Sequence, residues 1–168
     1  LENRQETSLI EIMVCCIRQA ATGEPPVGRG PTRKVLSAKE VKQVHDDKQA
    51  LTAHFIQVLP PLLKKYLPDA EKVANLLVIP QYFDLEIYTT SRQEKNLDSL
   101  LLLMQEIAEK HSSKEALDTC AKTLEKLCDD QHAIHSRCDI ARSRLLDMVV
   151  NSYREALDEF MSLLGGEE

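Results

Sequence analysis

Apolar side chains recur at intervals of three and four residues through most of this chain, which is the spacing of one helical face. The pattern is present at about 4–22, 92–111, 113–128 and 131–163, and again between Ser37 and Tyr66. With 3 Phe, 4 Tyr and no Trp, the chain holds few of the aromatic residues that β-strands favour. The sequence therefore predicts an all-α fold.

Several helix boundaries are marked by residues that cap helix ends. Ser37 is followed three residues later by Glu40, which is the spacing of a capping box. Ser113 is placed to cap the helix that follows it. Pro68 and Asp69 end one helix and begin a short one that carries Val73 and Leu77 on one face. These signals predict separate helices joined by short connections.

Three stretches allow more than one assignment. The acidic pairs Asp46-Asp47 and Asp129-Asp130 are interpreted as helix caps or breaks, so the helix after Ser37 could be a pair. The stretch 81–88 is compatible with a helical turn or with a strand, because periodicity cannot decide over so few residues. Its aromatic residues Tyr82, Phe83 and Tyr88 are interpreted as core rather than as a peptide-binding hot spot.

Helical units that start near residues 50, 92 and 131 would recur at about 40 residues, the length of the helix pairs in HEAT and armadillo arrays. Each such pair buries its apolar face by stacking on its neighbours. The sequence thus predicts a HEAT-type solenoid segment of antiparallel helix pairs spanning 1–168. A compact bundle is the alternative. The terminal helices distinguish the solenoid segment from the bundle, because an excerpt of an array exposes apolar side chains on its terminal helices.

A loop interrupts the helical pattern at 23–36, with the sequence GEPPVGRGPTRKVL. Its prolines and glycines remove helical hydrogen bonds and add backbone freedom. The loop is longer than the two to eight residues usual between helices, and loops of this length tend to be functional.

Basic residues are concentrated in and after this loop, although the net charge of the chain is −6. The candidate DNA-binding residues are Arg29, Arg33, Lys34, Lys39, Lys42, Lys48, Lys64 and Lys65. No aromatic residues alternate with them, so base stacking is not indicated, and binding would be directed at the phosphate backbone without sequence preference. The alternative interpretation is a solvated loop and helix face.

A possible metal site is formed by Cys128, His132, His135 and Cys138, with Cys120 as a further candidate. Four ligands so close together on one helix cannot easily surround a tetrahedral zinc ion. We therefore interpret them as packed thiols and surface histidines, and keep a zinc-supported domain as an alternative.

The adjacent Cys15 and Cys16 are likewise interpreted as core residues, since they lie in an apolar helical run. Reduced thiols of this kind indicate an intracellular protein.

No catalytic, nucleotide-binding or metalloprotease motif occurs, so no catalytic residue, cofactor or small-molecule substrate is predicted. No apolar run reaches the roughly 18 residues of a membrane helix, and no secretory signal is recognisable at the start. We therefore expect neither an enzyme nor a membrane-bound protein.

Five strings carry a resemblance to a known family: VCCIRQAA at 14–21, PPVGRG at 25–30, DAEKVANLL at 69–77, IPQYFDLEIY at 79–88 and DIARSRLLD at 139–147. In one register from about Leu1 to Phe160, the chain resembles the stromal-antigen subunits of cohesin. The resemblance implies a middle segment of a longer HEAT-repeat protein that binds the kleisin subunit, contacts DNA and acts in sister chromatid cohesion. It also implies a nuclear, chromosome-associated protein without enzymatic activity.

The resemblance transfers few functional residues to this sequence. The PPVGRG loop, with Arg33 and Lys34, matches a basic stretch of the family and so supports contact with DNA. The family's tryptophan-centred pocket for aromatic peptides has no counterpart here, because the chain contains no Trp.

Overall fold

A computed structural model describes residues 2–30 and 35–165 of the chain. Its seven α-helices are α1 (Asn3–Thr22), α2 (Ala38–Lys65), α3 (Ala70–Leu77), α4 (Ile87–Thr90), α5 (Glu94–Lys110), α6 (Lys114–Leu127) and α7 (His135–Gly165). A 3₁₀ turn, Ile79–Tyr82, follows α3. The described residues include no β-strand, so the all-α prediction is confirmed and the stretch 81–88 is helical or turn.

The predicted capping residues begin the helices as expected. The Ser37 hydroxyl accepts a hydrogen bond from the Glu40 amide at 3.3 Å, and the Glu40 carboxylate accepts one from the Ser37 amide at 2.8 Å. The Ser113 hydroxyl accepts from the Ala116 amide at 3.3 Å at the start of α6. These bonds satisfy amides that have no partner inside the helix.

The interpretation of Asp46 and Asp47 as a helix break is wrong, because α2 continues through both residues. The Asp47 carboxylate instead accepts a hydrogen bond from the side chain of Gln43, one turn earlier, at 2.8 Å. The unit start predicted near residue 50 therefore moves back to Ala38. The second acidic pair does lie between helices, where the Asp129 carboxylate accepts from the Gln131 amide at 3.0 Å.

The helices form two rows. One row runs α1, α3, α6 and the other runs α2, α5, α7, with each helix packed on its neighbour in the row. Contacts between α2 and α3 and between α5 and α6 join the rows into layers. The short connection from Lys110 to Lys114 makes α5 and α6 an antiparallel pair. This is the layered arrangement of a HEAT-type stack.

The core lies where α2, α3, α5 and α6 meet. Leu63, Leu77, Leu97, Met104 and Leu127 are completely buried there. The rings of Phe83 and Tyr88 are also buried, with centroids 6.2 Å apart, so their assignment to the core is confirmed. The core is thus drawn from stripes on several helices.

A buried lysine joins the first and third helices. The ammonium group of Lys72 donates to the Asp69 carboxylate at 2.7 Å and to the side chain of Asn3. Only 1% of Lys72 is exposed, and the Tyr66 ring lies 5.7 Å from its charge. The hydrogen bond from Lys72 holds the pKa of Asp69 below its usual value. A buried ammonium needs such partners, which fixes the start of α1 against the start of α3.

The terminal helices leave apolar side chains uncovered. On α1, Leu9 is 56% exposed and Ile12 is 61% exposed. Within α7, every position of which the structure describes, only Cys138 is buried. These uncovered faces match the array rather than the closed bundle.

Cys15 and Cys16 are exposed, so their assignment to the core is wrong within this chain. The stripe of α1 that packs inward carries Ile10, Ile17 and Ala21, and the two cysteines lie off it.

Candidate partner-binding surfaces

The loop between α1 and α2 begins at a closely packed residue. Gly23 ends α1 with a left-handed φ of 69°, and its amide donates to the Gln19 carbonyl at 2.8 Å. A Cβ atom at Gly23 would lie 2.9 Å from Val44 and 3.0 Å from Leu36. The two ends of the loop are therefore adjacent, and glycine is required by both the backbone and the space.

The predicted basic residues near this loop are exposed. Arg29 lies on a turn whose neighbours Gly28 and Gly30 both have φ of 85°. Lys39 and Lys42 are exposed on the first turns of α2, three residues apart and so on one side of the helix. Arg33 and Lys34 lie outside the described residues. We call Arg29, Lys39 and Lys42 the loop-proximal cations.

Within the described ranges, the loop-proximal cations have no ion-pair partner that would compete with an external ligand. None of the three forms an ion pair with any residue that the structure describes. Their charges are therefore available to an external anion such as a DNA phosphate.

The other predicted lysines do not join this group. Lys48 is half-buried, and Lys64 and Lys65 lie at the far end of α2, about 37 Å from Lys39 at 1.5 Å per residue. Lys65 lies over the Tyr66 ring at 4.9 Å, and its hydrogen bond to Tyr66 raises the pKa of Lys65. Because charges separated by more than about 10 Å are largely screened, the two ends of α2 act as independent sites.

The cysteine and histidine residues do not assemble a metal site. Cys128 ends α6, and a turn separates it from Cys138 in α7. Nδ1 of His135 lies 2.9 Å from the Cys128 carbonyl oxygen, so this ring nitrogen already has a partner in the backbone. Nδ1 of His132 is buried and has no hydrogen-bond partner among the described residues. Within 2–30 and 35–165, no three His, Cys, Asp or Glu side chains are arranged to hold an ion. This arrangement does not support the zinc alternative.

The buried thiols are also poor metal ligands. Burial raises the pKa of Cys120 to about 11 and that of Cys138 to about 12, and it raises the pKa of Cys128 as well. Metals bind the thiolate, which these environments disfavour. The three thiols therefore act as small apolar side chains.

The outer part of α7 presents a long apolar seam. Its members alternate at spacings of four and three residues: Leu146, Val150, Tyr153, Leu157, Phe160 and Leu164. All of them are exposed. At 1.5 Å per residue, the 31 residues of α7 extend about 46 Å, whereas the 17 of α5 extend about 26 Å. Alternation of this kind is typical of a helix that packs lengthwise against another helix.

Periodicity predicted an apolar helical face over 131–163, and an excerpt of an array was expected to leave such a face uncovered at its end. In the described part of the chain, no helix is both long enough and apolar enough to cross a membrane.

Residues 1–168 match the HEAT-repeat domain of the cohesin subunit SCC3/SA family. Cohesin subunit SA-1 of Xenopus laevis is 52% identical over 161 residues, which cover 96% of this chain and 13% of that protein. Cohesin subunit SA-3 of Mus musculus is 47% identical over the same shares of the two chains. Sister-chromatid cohesion protein 3 of Arabidopsis thaliana is 27% identical over 93% of this chain and 15% of that protein. The chain thus spans about an eighth of the length of these relatives.

Proposed function

This chain belongs to the SCC3/SA family of cohesin subunits, and we propose that it is one stretch of a longer HEAT-repeat stack whose role is binding rather than catalysis. The observation that carries this proposal is the pair of uncovered apolar faces, on α1 and on α7. The relatives are about eight times as long as this chain, so a protein of their length would contain further helices that could cover these faces.

The stack gives each uncovered face a physical role. A helix preceding α1 would cover Leu9 and Ile12, and a helix following α7 would cover the seam from Leu146 to Leu164. Burial of apolar surface contributes about 25 cal/mol per Å², so a seam of six large side chains would stabilise the neighbouring layer. A stack built in this way offers a long surface that extended partners can follow over many repeats.

We extend the proposal to the assembly in which this stack acts. The family names support a role within cohesin and in sister chromatid cohesion, and hence in the nucleus on chromosomes. The kleisin subunit, implied by the resemblance of the sequence, is an extended partner of the kind that a stack can follow. Crosslinks from Lys39, Lys42 and Lys65 in the assembled complex would identify the neighbouring subunit.

DNA contact is assigned to the loop-proximal cations, together with Arg33, Lys34 and Lys48. Arg29, Lys39 and Lys42 are exposed and form no ion pair with a residue that the structure describes, which supports this proposal. Contacts from such side chains position the protein on phosphates and do not read base sequence. At the far end of α2, the exposed Lys65 would contact a separate part of the duplex.

Neutralising the loop-proximal cations tests DNA contact. In the complete subunit, the triple variant Arg29→Gln, Lys39→Gln, Lys42→Gln should bind duplex DNA more weakly than wild type. The slope of log K against log salt concentration should fall by about 0.9 for each phosphate that the variant no longer neutralises. Fluorescence anisotropy across a salt series measures both quantities.

A control triple variant has the same change in charge at exposed lysines of α5 and α6, namely Lys110→Gln, Lys114→Gln and Lys126→Gln. It should leave the slope nearly unchanged. Equal weakening in both triple variants would contradict the assignment, because it would reflect net charge alone. Binding by residues 1–168 without the rest of the subunit would identify an autonomous DNA-binding module.

A further inference from the structure

Two grooves flank α5 on the outer side of the row formed by α2, α5 and α7. The groove between α5 and α7 has a volume of about 430 Å³ and is lined by Leu101, Leu102, Arg137, Ile140 and Arg144, among others. The groove between α2 and α5 has a volume of about 260 Å³ and includes Pro61, Lys64, Leu102 and Glu106. Leu102 lines both grooves, so they form one surface, which we call the α5 surface.

Apolar side chains cross the α5 surface from one helix to the next. Leu102 is 58% exposed and Ile140 is 54% exposed, and Pro61 on α2 is exposed as well. Leu101 and Leu103, on either side of Leu102, are buried and supply the packing that α5 needs. The core therefore does not require a leucine at position 102. A single exposed leucine is ordinary, but three aligned apolar residues on three helices make a strip.

Neighbouring layers of the stack do not cover the α5 surface. α5 is the middle helix of its row, with α2 on one side and α7 on the other. Further layers would add beyond α7 or before α2, along the row. The face that carries Leu102 is opposite the side of α5 that holds Leu97, Leu100 and Met104 in the core. This surface therefore stays accessible in a stack.

The two grooves beside Leu102 also contain charged side chains. Nη1 of Arg137 donates to both carboxylate oxygens of Asp98 at 2.8 Å, so that pair is internally neutralised. Lys64 and Arg144 are exposed and form no ion pair with any residue in the described ranges. They lie in different grooves, roughly 20 Å apart at two helix-packing distances. Glu106 is the one further acidic side chain that lines these grooves.

We propose that the α5 surface binds an extended segment of a partner protein in which aliphatic side chains are flanked by carboxylates. At about 3.3 Å per residue, a segment of six or seven residues spans the distance from Lys64 to Arg144. Its aliphatic side chains pack beside Leu102 in the two grooves, and its terminal carboxylates pair with the two cations. Leucine and isoleucine offer no stacking surface to bases, so a protein with aliphatic side chains fits this surface better than a nucleic acid. This inference does not depend on DNA contact by the loop-proximal cations.

The test uses the complete subunit and a labelled peptide of sequence Asp-Glu-Leu-Ser-Ile-Glu-Asp, with fluorescence anisotropy as the readout. Measurable binding is expected, and the double variant Lys64→Glu, Arg144→Glu should weaken it at least tenfold. Leu102→Ser should also weaken it, with no change in melting temperature. The matched control Lys110→Glu, Lys126→Glu places the same charges elsewhere and should leave binding unchanged.

Three outcomes would overturn the proposal. The first is a lack of binding up to about 1 mM peptide. The second is equal binding of a peptide with serine in place of leucine and isoleucine, which would reflect charge alone. The third is loss of duplex DNA binding, with peptide binding retained, in the Lys64→Glu, Arg144→Glu variant, which would make the surface a nucleic-acid site.

Discussion

The variant Leu100→Asp is expected to unfold this chain, whereas Leu102→Asp, two residues later on α5, should leave it folded. Leu100 is 1% exposed and lies in the core, while Leu102 is 58% exposed. Removing a buried leucine costs about 2–5 kcal/mol, and an unpaired buried carboxylate adds several more. The sum is comparable to the whole stability of a domain, about 5–15 kcal/mol.

Urea unfolding followed by circular dichroism at 222 nm measures this difference. Leu102→Asp serves as the matched control, since it introduces the same side chain into the same helix. Similar unfolding midpoints for the two variants would contradict the assignment of the buried face of α5.

The second large effect is expected for substitutions in the apolar seam of α7, and its size depends on how much of the subunit is present. In residues 1–168, the double variant Leu157→Asp, Phe160→Asp should change the free energy of unfolding little, because the two side chains are 43% and 56% exposed. In the complete subunit, the same variant should destabilise the region around α7 by several kcal/mol, because both side chains would then be buried against the next helix. Melting of the two lengths of chain, each with and without the substitutions, gives the comparison.

Ser152→Asp and Ser162→Asp provide the control for this prediction, because both serines lie on α7 away from the seam. The control pair should have little effect in either length of chain. An equal and small effect of the seam variant in both lengths would mean that no neighbouring layer covers α7.

Local signals in the sequence were sufficient for most helices. The capping box at Ser37 and Glu40 and the cap at Ser113 predicted helix starts, because a cap depends only on residues within one turn. The helix break predicted at Asp46-Asp47 was wrong. Aspartate on an exposed helix face costs little, and the Asp47 carboxylate is bonded within the helix to the side chain of Gln43.

Burial was harder to predict than helicity. Periodicity identified the apolar residues of α1 and α7, but the presence of a covering neighbour is not a property of the stripe itself. Cys15 and Cys16 were therefore assigned to a core that this chain does not provide for them. Phe83 and Tyr88 were assigned correctly, since both α2 and α5 contact the short helix that contains Tyr88.

Surfaces shared by several helices could not be predicted from one sequence. Pro61, Leu102 and Ile140 are far apart along the chain and meet only because three helices lie side by side. Conversely, Lys39 and Lys64 belong to one basic stretch of sequence but lie at opposite ends of a long helix. The folded geometry, rather than proximity in sequence, decides which charges act together.

Hydrogen exchange of the α7 amides tests most directly whether adjacent layers cover the apolar faces. The amides from Leu146 to Leu164 should exchange rapidly in residues 1–168 and many-fold more slowly in the complete subunit, because exchange reports local opening. The amides around Met104 in α5, which is completely buried, should exchange slowly in both. Equally rapid exchange along α7 in both lengths of chain would contradict the stack.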